Sequence, residues 1–282
     1  MKPLLYHAFI AATLFAAAQA AAQPAAVVEG VQSPAWVERG GTRTPISPGM
    51  VLQPGDVIHT GAQSRLLVRL SERSLVKLGE NGQLRFTELS PTREIFRAAL
   101  GVLEGAFRFT TDVAAKARRR EVNITVATVT AGIRGTDLWG RSRTSDNLQV
   151  VCLIEGAIEV GAQGEAPVTM DQPRQFYRRV AGQTQPIGLV EPAQLQQWAE
   201  ETEIQAGRGA ARAGGRFQLV LARAPSQDEA LAAYDRVRAA GYPAEIRPLR
   251  QEAGVVYLVR IRNLASRADV QALAARLGVK PL

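Results

Sequence analysis

From Val27 to about Val190, short apolar runs alternate with turn signals: Pro48-Gly49, Pro54-Gly55-Asp56, Asn81-Gly82 and Gly161 to Gly164. This rhythm reads as β structure. Arg65 to Leu70 sets Leu66, Val68 and Leu70 on one face and Arg65, Leu67 and Arg69 on the other, the period of a half-buried strand. Gln149 to Ile154 is apolar on both faces and predicts a strand covered on both sides. One pattern recurs, Val102-Leu103-Glu104-Gly105-Ala106-Phe107 and Leu153-Ile154-Glu155-Gly156-Ala157-Ile158. Each glycine is suited to the positive φ of a reversal or bulge. Two such units predict a mainly β domain, a roll or sandwich.

The character changes at residues 191–205. Pro192 suits a first helical turn, and Leu195, Trp198, Ala199 and Thr202 fall at helical spacing, with Trp198 as the anchor onto the β domain. Residues 206–215 hold four glycines and read as a flexible linker. Beyond it, Phe217, Leu219 and Leu221 alternate as a strand. Ser226 and Glu229 form a capping box before a helix whose apolar stripe is Ala230, Leu231, Tyr234 and Val237, stopped by Gly241. Ala244 to Arg250 and Val255 to Ile261 read as strands, and Ser266 with Asp269 caps a helix ended by Gly278. Val279 to Leu282 is long enough for a closing strand. Residues 216–282 therefore predict a small α+β, βαββαβ domain with two helices on one face of an antiparallel sheet.

Parity within that sheet is specific. It turns Phe217, Leu219, Leu221, Tyr257, Val259 and Ile261 toward the helices, with Ile246 and Pro248 from the second strand. It leaves Gln218, Val220, Leu258, Arg260, Glu245, Arg247 and Leu249 on the open face.

The N-terminus sets the compartment. Lys2 precedes an uncharged stretch from Pro3 to Ala18, and both Ala18-Gln19-Ala20 and Ala20-Ala21-Ala22 fit the small-x-small cleavage rule. Residues 1–22 read as a signal peptide, with an apolar run short of the roughly 20 residues a membrane helix needs. The expectation is a periplasmic protein with no integral membrane segment after cleavage. The net charge of +8 raises nucleic acid as a partner, which export excludes. Anionic envelope polymers or lipid headgroups remain. Lys116 with Arg118 to Arg120, the densest basic run, reads as a solvated loop. Cys152, the single cysteine, sits among Val150, Val151, Leu153 and Ile154 and reads as a buried small hydrophobe.

Catalytic chemistry is sparse. The exported part of the chain carries one histidine, His59, and no zinc helix, nucleophile elbow or phosphate loop. Glu104 and Glu155 are paired in the repeat, yet nothing in the sequence sets the separation that sugar-bond cleavage requires. No enzyme, cofactor or metal is expected.

Two resemblances follow from these residues. Thr128 to Leu138, with Ile133-Arg134-Gly135-Thr136-Asp137 at its centre, resembles the signature of the FecR domain family, and Leu52 to Gly61 is similar to that family's early segment. The resemblance covers residues 27–190 and implies a periplasmic β-rich domain. The sigma-factor regulation of its best-known members is not carried over, because a cleavable signal stands where they have a cytoplasmic segment. Arg134 either binds a ligand or braces the turn through its several donors, and its glycine neighbours suit bracing. Arg238 to Ala244, Tyr257 to Ile261 and Ala272 to Leu277 resemble a SPOR domain, which implies a ferredoxin-like fold that binds peptidoglycan glycan strands lacking stem peptides. The departures are Val220, Ala222 and Ala224 where that family often has Gln-x-Gly-x-Phe, and Arg262-Asn263-Leu264 for its Gly-Pro-Phe. The implied glycan contacts are Gln218, Val220, Arg247, Leu258 and Arg260. The expected function is a wall-binding protein that tethers a sensory or scaffolding β domain to peptidoglycan. The alternative is a module for other envelope proteins or for a ligand, with a SPOR domain that no longer binds glycan.

Export is tested by N-terminal sequencing of the mature protein, which should begin at Ala21 or Gln23. An intact Met1, or fractionation with integral membranes, contradicts it.

Overall fold

The computed structural model describes residues 24–280 except 93, 113–118, 134 and 253. Residues 1–22, read from the sequence as a signal peptide, and Lys116, Arg118 and Arg134 lie outside the described residues.

Two antiparallel-rich sheets form the β domain. The first runs in space from Gln175–Val180 through Leu148–Glu155, Asp137–Arg143, the end of Ile95–Thr110, Leu75–Leu78 and Arg65–Leu70 to Ala26–Gln32. The second runs from Thr42–Pro45 through Ala35–Arg39, Val57–Thr60, Gln83–Pro91, the start of Ile95–Thr110, Arg119–Val126 and Val129–Ile133 to Ile158–Ala162 and Val168–Met170. Leu66, Val68, Val76 and Phe109 of the first sheet share one buried cluster with Ile58, Phe86, Leu100 and Ile124 of the second. Burying each such side chain contributes about 1.5–3 kcal/mol.

The Ile95–Thr110 strand belongs to both sheets, and it changes sheet at Glu104-Gly105. The chain changes sheet in the opposite sense between Leu148–Glu155 and Ile158–Ala162, at Glu155-Gly156. Gly105 has φ +85° and Gly156 φ +93°. A Cβ on Gly105 would lie 2.6 Å from the Gly82 Cα, and one on Gly156 2.6 Å from the Gly135 oxygen. Only glycine fits either corner.

The Leu148–Glu155 strand is covered on both sides. Val151 and Leu153 enter the sandwich core, while Val150 and Cys152 join Trp139, Val190 and Trp198 in an outer cluster. Helix α1 (Pro192–Glu200) lays Trp198 over Trp139, ring centroids 4.5 Å apart and planes 7° from parallel. It is shorter than the expected 191–205 helix. After Glu200 the chain turns, and Glu201 pairs with Arg141 while Glu203 pairs with Lys77 and Arg108. Arg119 and Arg120 are not loop residues as expected. They begin a strand that runs parallel to Ile95 and Phe96.

The 206–215 segment is the main correction. Ala210–Arg212 is a strand that pairs with Gly30, Val31 and Gln32 on one side and with Leu264 on the other. Its small side chains allow the close approach: Ala210 and Ala211 are buried. Glycines at the turns around it read as flexibility, but they serve geometry, Gly207, Gly209 and Gly214 all having positive φ.

Beyond it, Phe217–Ala224 and Ala244–Gln251 flank the central Gly254–Leu264 strand, with helices α2 (Gln227–Ala239) and α3 (Arg267–Leu277) on one face. Ser226 and Ser266 accept the Glu229 and Asp269 amides as N-caps. Val279 and Lys280 are not in a strand, and the rest of the expected closing strand lies outside the described residues.

The Asp269 carboxylate is buried. It accepts from the Ser266 hydroxyl at 2.6 Å and from the Gly209 and Ala210 amides at 3.1 and 3.0 Å. Arg276 donates to the Ser33 carbonyl at 2.7 Å. Trp36 closes on Gly241, where a Cβ would lie 2.4 Å from its Cζ2. The main buried cluster runs on through Leu219, Ile261, Leu264 and Leu273. The two domains therefore share a sheet and a core.

Asp269→Ala leaves two buried amides without acceptors and should cost about 1–3 kcal/mol. Thermal unfolding of the full chain should remain a single transition at a lower midpoint. Two resolved transitions, with only one displaced, would contradict the shared core.

Candidate functional site

The small sheet buries one face under its helices, where Ala224, Ala244 and Val259 meet Ala230. The other face is set by register. Glu245, Arg260 and Val220 stand side by side across the three strands, and Arg247, Leu258 and Arg223 form the next row. Gln218 joins through its side-chain oxygen, which accepts from Arg260 Nη1 at 2.8 Å. The five residues singled out from the sequence, Gln218, Val220, Arg247, Leu258 and Arg260, thus share one face.

Their chemistry differs from the expectation. Arg260 is only 8% exposed. Its Nε donates to Glu245 Oε1 at 2.7 Å, and Arg262 Nη1 lies 3.6 Å from the same oxygen. Arg260 is therefore the centre of a Gln218–Arg260–Glu245 ladder, not a free donor, because a desolvated guanidinium needs its partners. The accessible cations are Arg223, Arg247 and Arg262.

Arg223 was invisible to strand alternation. Register shifts interrupt the Phe217–Ala224 strand between Phe217 and Leu219 and between Val220 and Ala222. The second lets Leu221 and Ala222 both pack on the helix side and turns Arg223 to the open face. No sequence signal marks these bulges.

The Ile133-to-Asp137 segment lies at a sheet corner. Ile133 is buried and Gly135 has φ +76°. Thr136 donates its hydroxyl to the Ala157 carbonyl at 3.1 Å and its amide to Thr111 Oγ1 at 3.1 Å. Asp137 takes both arms of Arg108, at 2.9 and 2.7 Å, and Arg108 also reaches Glu203. The segment ties the second Glu-Gly corner to the end of α1.

The remaining titratable groups point to structure. Burial pushes the Cys152 thiol up to about 12, so it is protonated and inert near neutrality. Burial, helped by the Arg43 charge, holds His59 below the usual imidazole range, against its Glu38 contact at 3.1 Å. Glu104 accepts the Thr144 amide at 3.0 Å, whereas Glu155 stands opposite Asp137. No group of three or more His, Cys, Asp or Glu able to hold a metal occurs among the described residues, and no helix among them is long and apolar enough to cross a membrane.

This architecture is that of a β sandwich fused to a small α+β domain with a cationic open sheet. Residues 56–159 match the family model FecR protein and residues 213–280 match the SPOR domain, so both domains are present, in that order along the chain. No curated protein matches the chain. Among solved structures, a putative anti-sigma factor from Parabacteroides distasonis ATCC 8503, determined at 1.65 Å, is 16% identical, with a TM-score of 0.42 over 79% of this chain and 92% of its own. A second structure of the same description, at 2.50 Å, is 14% identical, with a TM-score of 0.41 over 71% and 96%.

Gly135→Val should destabilise the protein by about 1–3 kcal/mol through backbone strain, since among the described residues, its chain neighbours aside, no atom lies within 4 Å of its Cβ position. Chemical denaturation of the full chain measures it. An unchanged midpoint would show that the positive φ is not required.

Proposed function

We propose that this is a periplasmic, non-enzymatic protein that binds peptidoglycan glycan strands through its SPOR domain and holds the FecR-type β domain at the wall. The observation that carries the reading is the open sheet face, where Arg223, Arg247 and Arg262 surround the Gln218–Arg260–Glu245 ladder. Guanidinium groups donate in a fixed fork to carboxylates and carbonyls. A glycan stripped of stem peptides offers both, as muramyl carboxylates and acetyl carbonyls. Residues 216–282 carry eleven basic and six acidic side chains, which favours an anionic polymer.

Within this reading Arg223 and Arg247 contact the glycan. Arg260 is a positioning residue that keeps Gln218 and Glu245 in place, and Val220 and Leu258 form the apolar floor between them. The shared core makes the tether a fixed mount, so the β domain is presented to the envelope in one orientation relative to the wall.

Co-sedimentation of the full chain with amidase-treated wall glycan tests this. The wild type should pellet, and Arg223→Ala with Arg247→Ala should weaken binding by about tenfold or more, one to two charged hydrogen bonds at about 1.5–3 kcal/mol each, with an unchanged melting temperature. Arg260→Ala should weaken binding and lower stability together. A wild-type protein that stays in the supernatant overturns glycan binding in favour of a module for other envelope proteins.

A further inference from the structure

We infer that the β domain supplies part of the glycan site, so that one binding groove is built from both domains. The inference rests on the glycan-binding reading above. Two adjoining hollows, of about 280 and 300 Å³, lie along the seam between the domains. Thr44 and Ser47 of the β domain face Arg262 and Glu245 across the first, and Trp36 and Arg43 line the second. Pro45 and Arg238 belong to both, which makes them one cleft.

Glu245 and Arg262 also belong to the open sheet face. The cleft therefore begins where that face ends, at the Ala244–Gln251 edge, and continues it toward the β domain. Its walls are fixed. The Ile46 and Gly49 amides donate to the Ala35 and Val28 carbonyls at 2.9 and 2.8 Å, pinning the loop that carries Ser47. The opposite wall is held by the Ala210–Arg212 strand and by Trp36 against Gly241.

The lining suits more of the same polymer. Arg43, Arg238 and Arg262 outnumber Glu38 and Glu245, so the cleft keeps the sign of the sheet face. Arg43 is held by Glu38 at 3.0 Å, which offsets its charge, and the Arg238 guanidinium lies 5.0 Å from the Tyr234 ring centroid, so the positive balance of the cleft comes from Arg238 and Arg262. Thr44 and Ser47 hydroxyls complement sugar hydroxyls, and the Trp36 indole adds an apolar surface with a polar edge. A short glycan is satisfied by the sheet face. A longer one runs on over the strand edge into the cleft.

The experiment measures binding of the full chain to denuded glycan fragments of graded length. Wild-type affinity should rise with length, and Arg43→Glu with Ser47→Glu should lower affinity for long fragments by about tenfold while leaving short ones unchanged. Amide exchange of residues 43–50 should slow when a long fragment binds, a readout in the wild type that does not depend on the variant folding. Equal binding of long fragments by wild type and Arg43→Glu/Ser47→Glu, with protection confined to 217–262, overturns the shared groove and leaves glycan binding by the sheet standing. No binding of any fragment by the wild type overturns both.

Discussion

One buried carboxylate holds the two domains in register. Asp269 caps α3 through Ser266 and, from the same side chain, accepts the Gly209 and Ala210 amides. The N-terminal turn of α3 favours a negative charge at this point. The strand it fixes, Ala210–Arg212, is only three residues long, yet it pairs with the first strand of the sandwich and with the end of the central strand of the small sheet. Two sheets that each bury one face thereby become one surface, with one apolar cluster beneath it. Everything proposed about presentation at the wall depends on this seam, because a mobile tether would leave no cleft between the domains.

The sandwich depends on two glycine corners. The chain leaves one sheet for the other at Gly105 and again at Gly156, and in each case another backbone segment occupies the space a side chain would need. The Gly135-Thr136-Asp137 segment packs into the second corner and hands its carboxylate to Arg108, which passes the contact to Glu203 beyond α1. Family signature and internal repeat are two sides of one structural joint. The outer apolar face of the sheet at that end is closed by the Trp139–Trp198 stack.

Much of the open sheet face was readable from strand alternation, because side chains on a strand alternate strictly while pairing stays regular. The Ala244–Gln251 and Gly254–Leu264 strands pair with each other in regular register, so Arg247, Leu258 and Arg260 fall where alternation puts them. The Phe217–Ala224 strand does not, and its second bulge exchanges the expected side of Arg223. Alternation also says which way Arg260 points but nothing of what meets it there. Glu245 lies one strand away, and its pairing turns an expected ligand donor into a support for its neighbours.

The sequence by itself determined the two fold classes, the helices with their serine caps and glycine stops, the glycine corners and the sign of the small domain's charge. These are local properties, fixed by periodicity, backbone conformation and composition. Tertiary structure decided the rest. Residues 206–215 resemble a linker in composition, yet Ala210–Arg212 among them becomes a strand because partners distant in sequence supply hydrogen bonds on both of its edges. Asp269 looks like an ordinary capping residue, and becomes a bridge because the chain returns some sixty residues earlier to meet it. Trp36 and Gly241 carry no mutual signal at all, since a contact between residues far apart in the chain depends on how the whole core closes.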